Sequence, residues 1–262
     1  MALSKGQIDN IENVLKASLR NKFNNYNPEP ASMPFHTRLL GKDRLALYAF
    51  IHSLNTNFGT TIFEPVALAL SQNNFKTAAL QMDAGKKISV AAQTEIQKII
   101  NGLATATIAP DKNKEIEIIR KVAKSGKMVA VKPTKVDLML ESNAGEYFLF
   151  DIKTAKPNAG GFKEFKRTLL EWVAVILANE NNAKVNTFIA IPYNPYEPKP
   201  YSRWTMRGML DLSNELKVAD EFWDFLGGAN TYRTLLDCFE HVGMELRDEI
   251  DNYFKRFDNN GS

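Results

Sequence analysis

KVDLMLESNAGEYFLFDIKTAK, residues 135–156, is the stretch whose reading decides the fold. Val136, Leu138 and Leu140 alternate with Asp137, Met139 and Glu141. After a short polar break, Phe148, Phe150 and Ile152 alternate with Tyr147, Leu149, Asp151 and Lys153. Successive strand residues point to opposite faces, so this pattern predicts two half-buried strands, and branched and aromatic residues suit them. The loop Asn143-Ala144-Gly145 sets the register. With Gly145 at the left-handed position, a three-residue hairpin pairs Ser142 with Glu146, Leu140 with Phe148 and Asp137 with Asp151. Asp137, Asp151 and Lys153 then share one face, while Val136, Leu138, Phe148, Phe150 and Ile152 share the other. A slip of one residue would separate the two carboxylates.

The chemistry follows from that register. Directly opposed residues of an antiparallel pair have Cα atoms roughly 4.5–5.5 Å apart. Two carboxylates that close repel, and one stays protonated unless a cation lies between them. Hard oxygen ligands with open positions suit Mg²⁺, which activates water and offsets charge on a phosphate. Lys153 can orient the attacking water or face the developing negative charge. Asp-x-Lys alone is a common tripeptide and can simply decorate a solvated strand. The earlier Asp in register, the apolar opposite face and the basic segment downstream raise it to a phosphodiester-cleaving constellation.

Upstream, Ser4 can cap a first helix with Ile8, Ile11, Leu15 and Leu19 at helical spacing. Asn21 to Pro34 reads as a loop, and a second helix runs from about Asp43 to Leu54. In SLNTNFGTTIFEPVA, Gly59 closes one element and Thr60 or Thr61 can cap the next, placing Glu64 on its first turns. A lone acid there is ordinarily explained by the helix dipole. Its apolar neighbours Ile62, Phe63, Val66 and Leu68 argue for partial burial and a role at the site. Gln72 to Lys87 reads as a polar loop, and Val90 to Leu103 as a helix carrying Glu95, a weaker acidic candidate. Lys112 to Lys124 reads as a charged helix, and Lys127 to Val131 as the strand leading into the hairpin.

Downstream, Pro157 and Gly160-Gly161 mark a loop and Phe162 to Ala178 a long helix, followed by a strand at Val185 to Ile191. Because a helix makes the crossover, that strand runs parallel to its neighbour. Lys156, Asn158, Lys163, Lys166 and Arg167 are candidate DNA contacts, since a basic helix start combines cations with free amides. Tyr193 to Arg207 mixes prolines and aromatics with Arg203 and Arg207, which are candidates for reading guanine. EFWDFLGG and Thr231 to Phe257 read as closing helices, with Trp223 and Phe225 in the core.

Composition sets the bounds. The 262 residues are 44% hydrophobic and 24% charged, as for a globular chain. We read one domain, 1–262, with a mainly helical part (1–125), a catalytic core sheet (126–192) and a loop with C-terminal helices (193–262). The single Cys238 excludes an internal disulfide, and its apolar neighbours make it a buried thiol. Three scattered histidines and one cysteine cannot build a zinc finger. No apolar run is long enough to span a membrane and no signal-peptide pattern is present, which predicts a cytoplasmic protein. The net charge of +3 is segregated, with eight Lys/Arg against three acids between Asp111 and Lys135, which suits a polyanionic partner.

Helix, strand, hairpin, long helix and strand give the order αβββαβ: an α/β fold with a central mixed sheet flanked by helices. Asp137…Asp151-Ile152-Lys153 resembles the PD-(D/E)xK nuclease motif, with Val136 where a weakly kept proline would stand and Asp where Glu is common. MPFHTRLLG (33–41), SLNTNFGTTIFEPVA (53–67) and EFWDFLGG (221–228) resemble the TdeIII family of type II restriction endonucleases over nearly the whole chain. That resemblance implies a homodimer that cuts double-stranded DNA with Mg²⁺ and has a DNA methyltransferase as functional counterpart. Related enzymes cutting GGNCC-type sites carry a helix acid in a segment like FGTTIFEPV, which maps onto Glu64. The expectation is therefore a bacterial or archaeal restriction endonuclease with Asp137, Asp151 and Glu64 as metal ligands. The alternatives are a repair or recombination nuclease of the same fold, and a DNA-binding regulator without chemistry.

Overall fold

Residues 3–26, 33–131, 135–157, 159–202, 206 and 208–258 are described by the computed structural model. Helix α1 (Lys5–Asn25) starts at Ser4, whose hydroxyl accepts the Gln7 N–H while the Gln7 side chain accepts from the Ser4 N–H. This reciprocal cap satisfies amides that a helix start otherwise leaves free. Helices α2 (Pro34–Leu40) and α3 (Lys42–Phe58) follow. The expected break at Gly59 does not occur. Gly59 keeps right-handed torsions (φ −54°, ψ −68°), so the chain continues through a π-helical turn, Gly59–Phe63, straight into α4 (Glu64–Ser71). The Glu64 N–H donates to the Gly59 carbonyl, the wider spacing of such a turn.

The segment expected as a polar loop, Gln72 to Lys87, holds a strand, β1 (Thr77–Asp83), and its last residue opens another, β2 (Lys87–Ser89). Helices α5 (Val90–Ala104) and α6 (Lys112–Val122) come next, capped by Ser89 and Asp111 through hydroxyl and carboxylate acceptors. Then come β3 (Met128–Ala130), β4 (Lys135–Glu141), β5 (Glu146–Ile152), α7 (Phe162–Asn179) and β6 (Lys184–Ile191). The chain closes with α8 (Leu212–Glu215), β7 (Leu216–Val218), α9 (Asp220–Gly227), α10 (Thr231–Glu245) and α11 (Arg247–Asp258).

Five strands form one sheet in the order β1-β4-β5-β6-β7, antiparallel as far as β5 and parallel beyond it. The hairpin register is the expected one: Leu138 pairs with Phe150 and Leu140 with Phe148. Gly145, at φ +76°, lets its N–H reach the Ser142 carbonyl while the Ser142 N–H reaches the Glu146 carbonyl, both at 2.9 Å. The strand expected to lead into the hairpin is a different one. β3 pairs with β2 in a separate ribbon, and β1 lies beside β4. The αβββαβ order therefore starts at α4 and β1, with β2, α5, α6 and β3 inserted before the hairpin.

The sheet separates two apolar clusters. Leu149, Val185, Ile189 and Ile191 pack with α5, α6 and α7, while Phe150, Phe188 and Ala190 pack with α1, α4, α9 and α10. Strands covered on both faces read as near-continuous apolar runs, which is why VNTFIAI lacks a polar face. Val136 departs from the expected pattern. It packs with the α7-side cluster, apart from Leu138 and Phe150, beside the point where β1 leaves its ladder. On α7, Leu169, Leu170, Val173 and Leu177 are fully buried, each worth roughly 1.5–3 kcal/mol. The chain passes so close to α7 that a Cβ on Gly85 would lie 2.1 Å from Val175 Cγ1. Cys238 is buried as expected, and burial pushes its thiol up to about 11. No described helix is long and apolar enough to cross a membrane.

Candidate active site

Asp151 alternates with Phe150 and Ile152 and so points to the α7 side of β5. Asp137 faces it from β4, and the two side chains are in contact. The Ile152 N–H donates to Asp137 Oδ2 at 2.8 Å, which fixes that carboxylate against the hairpin. Asp151 is 7% exposed. Burial pushes its carboxyl up to about 6, with Asp137 adding to the rise and Lys153 opposing it. Lys153 Nζ pairs with Asp151 Oδ1 and lies 5.0 Å from the Phe165 ring centroid at the start of α7. Its N–H continues the parallel ladder to the Ala190 carbonyl at 2.9 Å. The backbone thus holds all three residues.

Glu64 is 4% exposed, and burial, more than the nearby charges of Asp137 and Asp151, raises its carboxyl above the usual range against the opposing pull of Lys153. The helix-dipole explanation does not survive. Because α3, the π turn and α4 are continuous, Glu64 has no free helix N-terminus beneath it. Between Glu64 and the hairpin stands a residue the sequence reading missed. Gln81 Nε2 donates to Glu64 Oε2 at 2.8 Å and to Asp137 Oδ1 at 3.0 Å. The Ala78, Leu80, Met82 alternation was the available signal for its strand, but the surrounding polar residues masked it.

Glu64, Asp137 and Lys153 open onto a cleft of about 1100 Å³, whose walls also include Phe58, Phe63 and Tyr193. Three carboxylates against one ammonium leave the centre short of positive charge, and two of the acids are pushed towards protonation chiefly by burial and further by neighbouring carboxylates. The donors are hard oxygens, so the residues fit a divalent cation of the Mg²⁺ type. A tighter trio of potential ligands, Glu12, His241 and Glu245, lies on α1 and α10. It is already satisfied: Lys16 pairs with Glu245 at 2.5 Å and His241 Nδ1 with Glu12 at 2.7 Å. We read that trio as helix packing. Glu95 pairs with Lys98 on α5 at 2.8 Å and is not among the residues lining the cleft.

The candidate DNA contacts divide. Lys156 is exposed, lines the cleft and lies 5.4 Å from the Tyr196 ring centroid; Lys163 is exposed at the start of α7. Arg167 donates to Gln97 at 2.8 Å and neighbours Glu164 at 3.9 Å. Asn158, Arg203 and Arg207 lie outside the described residues. Lys166 is a correction. Its side chain is fully buried, pairing with Glu115 at 2.5 Å and Glu215 at 2.6 Å, while Lys112 pairs with Glu215 at 3.0 Å and with the Thr187 hydroxyl. Lys166 stands three and four residues before Leu169 and Leu170 and so shares their buried face, whereas Lys163, one turn earlier at the helix start, is exposed. Burial works against ionising Glu215, yet Lys112 and Lys166 hold its carboxyl below the usual range. Removing one partner of a buried ion pair costs about 3–5 kcal/mol. Lys166→Ala is therefore expected to lower urea stability by about that much while leaving salt-dependent DNA affinity at the wild-type level. A loss of affinity in a variant that stays folded would return Lys166 to the interface.

Comparison with known proteins identifies the family of the chain. The family described as "Type II restriction endonuclease, HinfI" matches residues 3–243. The type II restriction enzyme HgiEI of Herpetosiphon aurantiacus is 27% identical over 223 residues, covering 83% of this chain and 79% of the relative. MjaII of Methanocaldococcus jannaschii, also a type II restriction enzyme, is 28% identical over 281 aligned residues, covering 96% and 74%. HgiCII of Herpetosiphon aurantiacus is 25% identical over 221 residues. The matching family bears the HinfI name, so the narrower TdeIII label drawn from the quoted segments gains no support from it. What the two have in common is the type II restriction endonuclease.

Proposed function

Because this chain belongs to the HinfI family of type II restriction endonucleases, we propose that Asp137, Asp151, Lys153 and Glu64 form its DNA-cleaving centre. It is a site-specific deoxyribonuclease acting on double-stranded DNA, and enzymes of this type work with a divalent metal. We take that metal to be Mg²⁺, held by Asp137 and Asp151 with Glu64 completing the set. When bound, the cation would supply charge neutralisation at the scissile phosphate and ease loss of a proton from the attacking water near neutral pH. The chain's own residues do the rest. Ile152 and Gln81 hold Asp137 in place from two sides. Lys153, fixed by its backbone bond and by Asp151, presents an ammonium to the attacking water and the developing negative charge. Phe165 and the apolar cleft wall keep that ammonium partly out of bulk water.

The observation that carries this reading is the contact between two carboxylates from adjacent strands, one of them paired with Lys153. The whole chain, 1–262, acts as one domain on this reading, since both apolar clusters share one sheet. The finer calls are a homodimer, a short palindromic site of the GGNCC type, and a cognate methyltransferase as counterpart. Lys156 and Lys163 would contact phosphate, and Arg203 and Arg207 would read bases. Incubating the purified chain with plasmid DNA is expected to yield discrete fragments with Mg²⁺ and none with EDTA. Sequencing the fragment ends gives the site. Random nicking, or fragments that persist in EDTA, would sink the reading.

A further inference from the structure

We propose that Gln81 is a positioning residue of the cation site, an inference that rests on the metal-dependent reading above. Its amide is the group that joins Glu64, on a helix, to Asp137, on a strand, through two bonds from a single nitrogen. Ionised carboxylates only accept, so a side chain bridging two of them must donate to both, and a primary amide supplies two N–H groups while leaving room for a cation's charge. The backbone is distorted at this one residue. Gln81 stands at φ +54°, and it alone leaves the ladder while Leu80 with Leu138 and Met82 with Val136 keep the same register. A left-handed torsion is costly for a residue carrying a Cβ and persists where the surrounding structure uses it.

The arrangement leaves the ligand atoms ready. Asp137 accepts from Gln81 at Oδ1 and from Ile152 at Oδ2, and each oxygen keeps a second lone pair. Glu64 accepts at Oε2, and its Oε1 has no hydrogen-bond partner among the described residues. Gln81 thus holds two ligands at a fixed separation before the cation arrives, the task of outer partners that orient metal-binding carboxylates. Without the amide, Glu64 and Asp137 repel, and the cation must gather them.

The test is a titration of Mn²⁺ against the full chain without DNA, following free Mn²⁺ by electron paramagnetic resonance. Gln81→Met keeps the length and loses both donors; Gln81→Gly loses them and relieves the torsion. Asp137→Ala is the control. Wild type is expected to bind and Asp137→Ala to lose binding, whereas both Gln81 variants bind about 10–100-fold more weakly. Gln81→Gly should melt no lower than wild type without cation, and cleavage by Gln81→Met should recover at proportionally higher Mg²⁺. Unchanged Mn²⁺ affinity in Gln81→Met, or a loss found only in variants that also melt lower, overturns the role of Gln81. Mn²⁺ binding that survives Asp137→Ala overturns the metal site itself, and this inference with it.

Discussion

Asp151→Asn is expected to abolish DNA cleavage and, without added cation, to make the protein more stable above pH 6. The first effect follows from removing the partner of Lys153 and, on the proposed reading, an anionic ligand of the cation. The second follows from burial. Asp151 titrates at about 6 in the folded chain against an ordinary value of 3.8. A carboxyl raised in this way contributes stability that is fully present below the unfolded value and is lost as pH rises through about 6. Asparagine carries no charge to bury, so the variant keeps at pH 8 what the wild type has given up. The shift corresponds to about 3 kcal/mol, or a melting temperature higher by about 5–10 °C at pH 8. At pH 4 the two proteins should converge. Melting curves at the two pH values, run beside a cleavage assay, check both effects. Near wild-type cutting would remove Asp151 from the site, and an equal stability gain at both pH values would remove the buried charge.

Lys153→Ala should lower cleavage by about 10²–10³-fold or more, the scale for deleting a pre-placed group that faces developing charge. The ammonium is no metal ligand, so Mn²⁺ binding should persist. Lys153→Arg should rescue poorly, because a planar fork does not occupy the place of a compact point charge between Asp151 and the Phe165 ring. The variant also leaves Asp151 buried without its nearest cation, so Lys153→Met should melt lower than wild type at pH 8. Adding Asp151→Asn should restore that loss but not the activity. Wild-type turnover in Lys153→Ala would exclude the catalytic role.

The hairpin was legible because every cue agreed: alternation, a glycine where the loop needs φ +76°, and a register in which apolar residues meet apolar residues. The long crossover helix and the parallel strand after it were legible for the same reason. β1 was not, because Thr77–Asp83 is at best half-buried and owes its order to pairing with β4, a long-range contact that leaves little local trace. Glu64 was singled out as a candidate, but with the wrong helix around it, since nothing in GTTIF announces a π turn. Lys166 was misplaced because lysines at a helix start ordinarily face water, and its carboxylate partners stand 51 and 49 residues away in sequence.

The buried quartet of Lys112, Glu115, Lys166 and Glu215 also limits how this gene can recombine. Lys112 and Glu115 sit on α6, Lys166 and Glu215 on α7 and α8, and each half is neutral by itself. The ion pairs nevertheless run between the halves: Lys166 with Glu115, and Lys112 with Glu215. A crossover in the hairpin with a relative whose core is apolar at these places would leave a lysine and a glutamate of one parent facing hydrocarbon from the other. Such hybrids should fail to fold even when each parent is stable. Shuffled libraries of these nucleases will therefore keep the segments around α6 and α7–α8 as a linked haplotype.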